Sequence, residues 1–267
     1  MASLLEEIVH LGSGRRIRGG LLANAYPLPD GWEHGITFLG VGCSEPQITG
    51  ACEVVDRTEV RPGAPGVFEP IYVDQSSACS MLSKVRNVDI ATDRLESTTE
   101  WALGRALATG LGSSNPSFED ADSISFSDDP GNVGLSVVNA ISCLEQSAAN
   151  AGFGAEVFLH APLRAAAYLA NAGMMTEDYY SPSGFRWILS PGYPASGPEE
   201  ITIWATGSVF ASVTAAETLI SSATGAAPVG WRTNTAAAYR QRLGLAAFDP
   251  CLNLSATFTV PPCSGGS

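Results

Sequence analysis

The chain has 267 residues, 45% of them hydrophobic, enough to bury a real core as one large domain or two small ones. Its 14 basic residues against 27 acidic ones give a formal charge of −13, which excludes a dedicated nucleic-acid binder, because such a protein needs a basic stripe to release counterions from phosphates. No run of about 18 apolar residues is present, and the acidic start MASLLEEIVHLGSGRR lacks the basic region of a signal peptide, so neither a membrane span nor secretion by the usual route is expected.

In chain order, residues 1–30 read as a separable arm. A short amphipathic start (Leu4, Leu5, Ile8, Val9) runs into GSGRRIRGG, where flanking glycines rule out a stable helix interior around Arg15, Arg16 and Arg18. Such a segment is either a loose terminus or an arm that lies across a neighbouring subunit. Residues 31–80 form an extended region with strand-like runs at 36–41, 52–60 and 68–73, divided by the Pro/Gly hinge 61–66. It has little apolar material of its own to bury, so it docks elsewhere or stays loose.

Residues 81–112 hold the best helix, NVDIATDRLESTTEWALGRALATGLG (87–112). Ile90, Leu95, Ala102, Leu103, Ala106, Leu107 and Gly110 form its apolar stripe, and Asp93, Arg94, Glu96, Glu100 and Arg105 occupy the rest of its surface. A Ser/Asp/Asn-rich linker follows, and Asp129-Pro130 reads as the start of a second helix with a stripe at Leu135, Val138, Ile141, Leu144 and Ala148. A buried strand at 156–160 and a third helix from Pro162, stopped by Gly173, complete the segment 113–175. Short strands between Pro/Gly turns fill 176–230. In the last segment, 231–267, the run 235–245 suits either a helix or a strand with Ala237, Tyr239, Leu243 and Leu245 opposite Arg240 and Arg242. The run 252–260 alternates as a strand, and if 235–245 is also a strand the two are expected to form a long hairpin turning at Asp249-Pro250.

The chemical motifs are sparse. His10, His34 and His160 have no metal-spaced partners. His160, between a strand and Pro162, sits where a catalytic base can sit, but a hydrogen-bonded core histidine is the stronger reading. There is no G-x-S-x-G, P-loop or dinucleotide fingerprint. The adjacent carboxylates Asp128-Asp129, Asp120/Asp122 and Glu199-Glu200 read as solvated turns. The six cysteines are widely spaced, and most read as small buried hydrophobes or free thiols. Trp101, Trp187, Trp204 and Trp231 fall in different elements and read as core or subunit-contact residues. No cofactor, metal or catalytic residue is expected.

The order of parts resembles that of the HK97-fold capsid family. FEPIYVDQSSACSM leading into TDRLESTTEWALGRALATG looks like that family's passage from extended loop to spine helix. AISCLEQSAANAGFGAEVFLHAPLRAAAYLANAGMM looks like its peripheral helix, strand and next helix, while WATGSVF and RTNTAAAYRQRLGLAAFDPCLNLSATFTV look like its late strand and return. The resemblance implies an α+β HK97-like fold: arm, loop, spine helix, a first peripheral part (113–175), a central strand-rich region (176–230) and return strands (231–267). It implies a major capsid protein of a tailed bacteriophage, with hexamers and pentamers forming an icosahedral head around double-stranded DNA, assembled in the host cytoplasm with scaffolding and portal partners. Family members that cross-link use a loop lysine. The lysine here, Lys84, precedes the spine, so that chemistry is not expected.

Contacts with neighbouring subunits are expected at Glu59 and Arg61 near the loop tip and at Arg94, Glu100 and Arg105 on the spine, with Arg15, Arg16 and Arg18 on the arm. The alternative for each is an ordinary solvated charge. Three rival functions stand beside the capsid: an encapsulin-type shell around cargo, a minor decoration or tail protein, and a hydrolase built on His160.

Overall fold

A computed structural model describes residues 19–38, 66–80, 84–110, 115–126, 132–151, 156–194, 197, 199–219, 229–230 and 235–261. Within them the Pro/Gly-punctuated strands sort into two five-stranded sheets and a short pair. In the pair, β1 (Ile36–Phe38) and β2 (Gly66–Phe68) run antiparallel and close the base of the extended region. The expected loop strand at 52–60 lies outside the described residues.

The spine sheet is organised by β11 (Thr235–Phe248). On one side β3 (Ile71–Ser80) pairs with it over ten residues. Along the other side β10 (Val229–Gly230), β9 (Glu217–Leu219) and β8 (Val209–Val213) follow in turn, all antiparallel. The ambiguous run at 235–245 is therefore strand: its helix-favouring alanines yield to a ladder on both edges.

The core sheet runs β4 (Asp122–Ser123), β12 (Asn253–Thr259), β7 (Glu200–Thr206), β5 (Phe158–Pro162), β6 (Arg186–Ser190). Its inner strands β5, β6 and β7 are buried on both faces, which is why they read as largely apolar runs, while β12 alternates and β4 is exposed. On one face Leu159, Trp187, Ile203 and Phe258 pack with Val137, Ile141 and Leu144 of the core helix (Val133–Ala151) and Leu169 of a short helix (Ala166–Asn171). On the other, Phe158, Ile188 and Trp204 meet Phe118, Phe248 and the spine residues Leu103 and Leu107.

Two expectations need correction. The closing hairpin does not form, because β11 and β12 belong to different sheets. At Asp249-Pro250 the chain crosses from one sheet to the other, beside the Gly207-Ser208 crossing from β7 to β8; Asp249 N donates to Ser208 O at 2.9 Å. A Cβ on Gly207 would come within 2.8 Å of the Asp249 Cβ, so glycine is required by this back-to-back packing. The core helix, β6 and β7 share one core. The core helix starts at Asn132, whose Oδ1 accepts from Leu135 N at 3.2 Å. Its buried row is Val137, Ala140, Ile141, Leu144 and Ala148, which leaves Leu135 44% exposed. Among the cysteines, whose pairing the sequence leaves open, Cys251 is disulfide-bonded, while Cys143 is a free thiol.

Candidate assembly surface

The spine helix spans Lys84–Thr109, about 39 Å at 1.5 Å per residue. Gly110, at φ 63°, ends it, its N–H returning to Ala106 O at 2.8 Å. Ala91, Leu95, Thr99, Leu103 and Leu107 form its buried row at four-residue spacing. Thr99 fits this dry row because its hydroxyl donates to Leu95 O at 2.5 Å. The row lies on β3 and β11, with Leu103 over Gly244; a Cβ there would sit 3.1 Å from the leucine.

Strand alternation then fixes what the rest of this sheet does. Gly244 faces the spine, and so do Arg242 and Arg240 at the same parity. Arg240 Nε donates to Thr92 Oγ1 of the helix at 2.9 Å. Opposite parity points outward over residues 239–243, although Leu245 and Ala247 further along are buried. Tyr72 is 72% exposed and Tyr239 38%, and half-buried Leu243 lies beside Tyr72 in register. This is the reverse of an ordinary half-buried sheet: the arginines turn toward the chain's own helix and the tyrosines toward solvent. The apolar/basic alternation was legible in the sequence, but the side that faces inward was not. Around the helix, the surface opposite the buried row exposes Arg94, Glu96, Ser97 and Trp101, the last at 47%.

The spine meets the core sheet at a joint made by two glycines. A Cβ on Gly104 would clash with Ser190 Oγ, and one on Gly192 with the carbonyl of Trp101 and the amide of Arg105. Helix and loop thus touch backbone to backbone. Beside this joint Glu100, counted with the wet residues in the helical pattern, is only 6% exposed. The loop after β6 folds over it and brings Tyr193 close. Burial, and secondarily the Glu100 charge, push the Tyr193 phenol well above its ordinary pKa.

Tyr193 opens a closed polar chain. Its hydroxyl lies 2.9 Å from His160 Nδ1, and His160 Nε2 lies 2.9 Å from Thr206 Oγ1. Thr206 spends its one proton on Gly207 O at 3.0 Å, so it accepts from Nε2–H, and Nδ1 accepts from Tyr193. His160 is fully buried, and desolvation lowers its pKa to about 3. It is the core histidine expected from the sequence, neutral and with both nitrogens occupied.

The arm enters the body along the edge of β6. Leu189 N donates to Gly19 O at 2.7 Å, Asn24 Nδ2 to Trp187 O at 3.0 Å, and Arg186 Nη1 to Asn24 O at 3.1 Å. Tyr26 then bridges to β8 through Val209 O and Ala211 N, both at 2.8 Å. This root covers a sheet edge that would otherwise present unpaired backbone groups, and it ties the two sheets together.

Of the expected contact residues, Arg15, Arg16, Arg18, Glu59 and Arg61 lie outside the described residues. Arg94 is exposed, and its Nη1 donates to Ser76 O of its own β3 at 3.1 Å. Arg105 is half-buried at the glycine joint. Glu100 lies inside and presents little to a neighbour. Tyr72 and Tyr239 were not among the expected contacts, and Trp101 was read only as core or subunit contact; the exposed side of an alternating run would have flagged the tyrosines only once the inward side was known. No helix among the described residues is long and apolar enough to cross a membrane.

No family model and no curated protein matches this sequence. Solved structures do match in fold. The capsid of an empty GTA particle superposes with a TM-score of 0.55 at 11% identity, covering 92% of this chain and 91% of that one. A virus-like particle from Pyrococcus furiosus gives 0.53 at 13% identity, with 94% and 95% covered. A structure from Mycobacterium phage Ogopogo gives 0.52 at 14% identity, with 93% of each covered. Arm root, paired loop base, long spine helix and two sheets, matched over nearly the whole chain, give this protein the α+β HK97-like fold of capsid shell proteins.

Proposed function

We propose that the chain is the major capsid protein of a tailed phage, whose copies form hexamers and pentamers of an icosahedral head enclosing double-stranded DNA. The observation that carries this reading is the outward tyrosine face of the spine sheet. Tyrosine supplies large contact area at low entropic cost and is enriched where proteins meet, and a fold that turns its arginines inward keeps such a face for another copy. The comparisons support a shell; the geometry supports which surface joins it.

Closed shells reuse one surface in quasi-equivalent contacts. In this reading Tyr72, Leu243 and Tyr239 provide apolar area, while Trp101, Arg94 and Arg105 on the spine meet a neighbour's loop or arm, together with Glu59 and Arg61. Scaffolding and portal proteins act in head assembly, and the acidic chain keeps the shell from adhering to packaged DNA. The hydrolase alternative loses its base, because His160 has no solvent access and no free nitrogen.

Electron microscopy of the protein expressed alone and with its genomic neighbours tests the proposal. Uniform closed shells support it, and the contents separate a DNA-filled head from a cargo shell. Small rings or monomers under both conditions overturn it in favour of a minor virion component.

A further inference from the structure

Of the six cysteines in the sequence, Cys143 is a free thiol and Cys251 is one half of a disulfide. Cys251 sits where the chain crosses from β11 to β12, its N–H donating to Asp249 Oδ1 at 3.0 Å. Bonded cysteines have Cα atoms no more than about 7 Å apart, so chain geometry sorts the remaining four, Cys43, Cys52, Cys79 and Cys263. Cys79 is the register partner of Ala236, and the twelve strand steps from Ala236 to Phe248 span about 40 Å. Three residues beyond Phe248 do not bring Cys251 back to it. Cys263 fails at the far end of β12. Strand pairing runs from Asn253 to Thr259, Val260 N donates to Glu199 O, and Arg164 holds Pro261 O beside Gly197 O. Eight extended residues, about 26 Å, therefore separate Asn253 from Pro261. Even with the two residues at each end turned inward, the Cys251 and Cys263 Cα atoms stay about 12 Å apart.

Cys43 and Cys52 remain, both in the segment between β1 and β2 and outside the described residues. The base of that segment is docked on the crossing itself. Phe68 and Phe248 meet edge to face at 5.5 Å, a Cβ on Gly66 would lie 2.9 Å from Pro250 Cγ, and Phe38 is the register partner of Gly66. Through these contacts the Cys251 Cα lies within about 16 Å of the Phe38 Cα. Cys43 stands five residues past Phe38, so about 17 Å of chain and about 6 Å of cystine cover the gap. Cys52 stands at the midpoint, fourteen residues from Phe38 and fourteen from Gly66. Its approach would close two longer loops, at a greater cost in chain entropy.

We infer that Cys251 is bonded to Cys43, and that this cystine staples the root of the extended region to the crossing between the two sheets. Forming it is a thiol–disulfide exchange, in which two cysteine thiols and one glutathione disulfide become one protein cystine and two glutathione thiols. β1 and β2 are strands of three residues each in a sheet of their own, and a lone two-stranded pair is marginal in water. The staple holds that pair where the extended region leaves the body. The inference goes beyond the shell reading and does not depend on it, because both sulfurs belong to one copy.

The test mixes equal amounts of 15N-labelled and unlabelled full-length protein and equilibrates them in oxidised and reduced glutathione. Free thiols are trapped with N-ethylmaleimide under denaturing conditions, and a peptic digest is mapped by tandem mass spectrometry. A peptide pair joining Cys43 to Cys251 within one isotopic copy is expected, and it persists in Cys52→Ser. Amide exchange at Ile36–Phe38 is expected to be at least about tenfold faster in Cys43→Ser than in the parent, with Phe158–Pro162 unchanged. Cys251 joined to Cys52, Cys79 or Cys263, a pair mixing heavy and light copies, or maleimide on Cys251 of the parent overturns the pairing. Equal exchange at Ile36–Phe38 in the two proteins overturns the staple's hold on the loop root.

Discussion

The two sheets solve opposite problems. The core sheet finishes its own packing: both faces are covered, its inner strands are largely apolar, and its buried polar groups close on one another through Tyr193, His160, Thr206 and Gly207. The spine sheet leaves its packing unfinished, with arginines directed at its own helix and Tyr72 and Tyr239 exposed. A domain that folds alone would bury the tyrosines and expose the arginines. The difference separates the part of the chain that finishes its own packing from the part that, in the proposed reading, another copy covers.

The joint between these regions is the place where the comparison breaks most severely. Gly192→Ala puts a methyl group into the spine backbone at Trp101 and Arg105, and neither side can yield as a flexible side chain would. A loss of about 3 kcal/mol is expected, measured as a lower urea midpoint, with shell formation lost as a consequence of misplacing the spine.

Next is the closed network. His160→Leu leaves the Tyr193 hydroxyl and Thr206 without their partner in a fully buried site, and about 2 kcal/mol should be lost. His160 also carries a pH signature. Its folded pKa is about 3 against an ordinary value of 6.5, so below 6.5 the unfolded chain binds a proton that the folded chain refuses. The stability this group permits is complete above about pH 6.5 and declines as pH falls toward 3, by at most about 1.4 kcal/mol per unit. Urea titrations at several pH values should show a shallower acid slope in His160→Gln than in the parent. An identical slope would mean the buried histidine charges freely.

How much of this contrast was legible in the sequence depends on the element. The spine was, because four-residue spacing of Leu95, Leu103 and Leu107 needs no partner to be read. His160 was, because a lone histidine beside a strand most often lies in a core. The orientation of β11 was not. Alternation tells which residues share a side, and only the spine packing on Gly244 decides that Arg240 and Arg242 face inward. The fate of Asp249-Pro250 was hidden too, since a turn between two strands does not say whether they pair or change sheets. Glu100 misled because helical periodicity sees only its own helix, whereas the loop bearing Tyr193 arrives from 93 residues further on.

Smaller effects sharpen the contrast. Tyr72→Ser with Tyr239→Ser removes exposed rings, so monomer stability should change by no more than about 0.5 kcal/mol, yet the concentration needed for assembly should rise at least about tenfold if these rings are interface anchors. Sedimentation velocity across a concentration series measures it. The smallest effect is expected from Arg94→Ala. Its one resolved bond, to Ser76 O, is solvent-exposed, and its loss should cost under about 1 kcal/mol of folding stability; an assembly defect beyond that would assign it to a neighbouring copy.

The most direct test of the central claim is hydroxyl-radical footprinting of assembled and dissociated protein, read at Tyr72 and Tyr239. The account predicts strong protection of both rings on assembly while buried Trp187 reacts alike in the two states. Equal oxidation of Tyr72 and Tyr239 in both samples would contradict it.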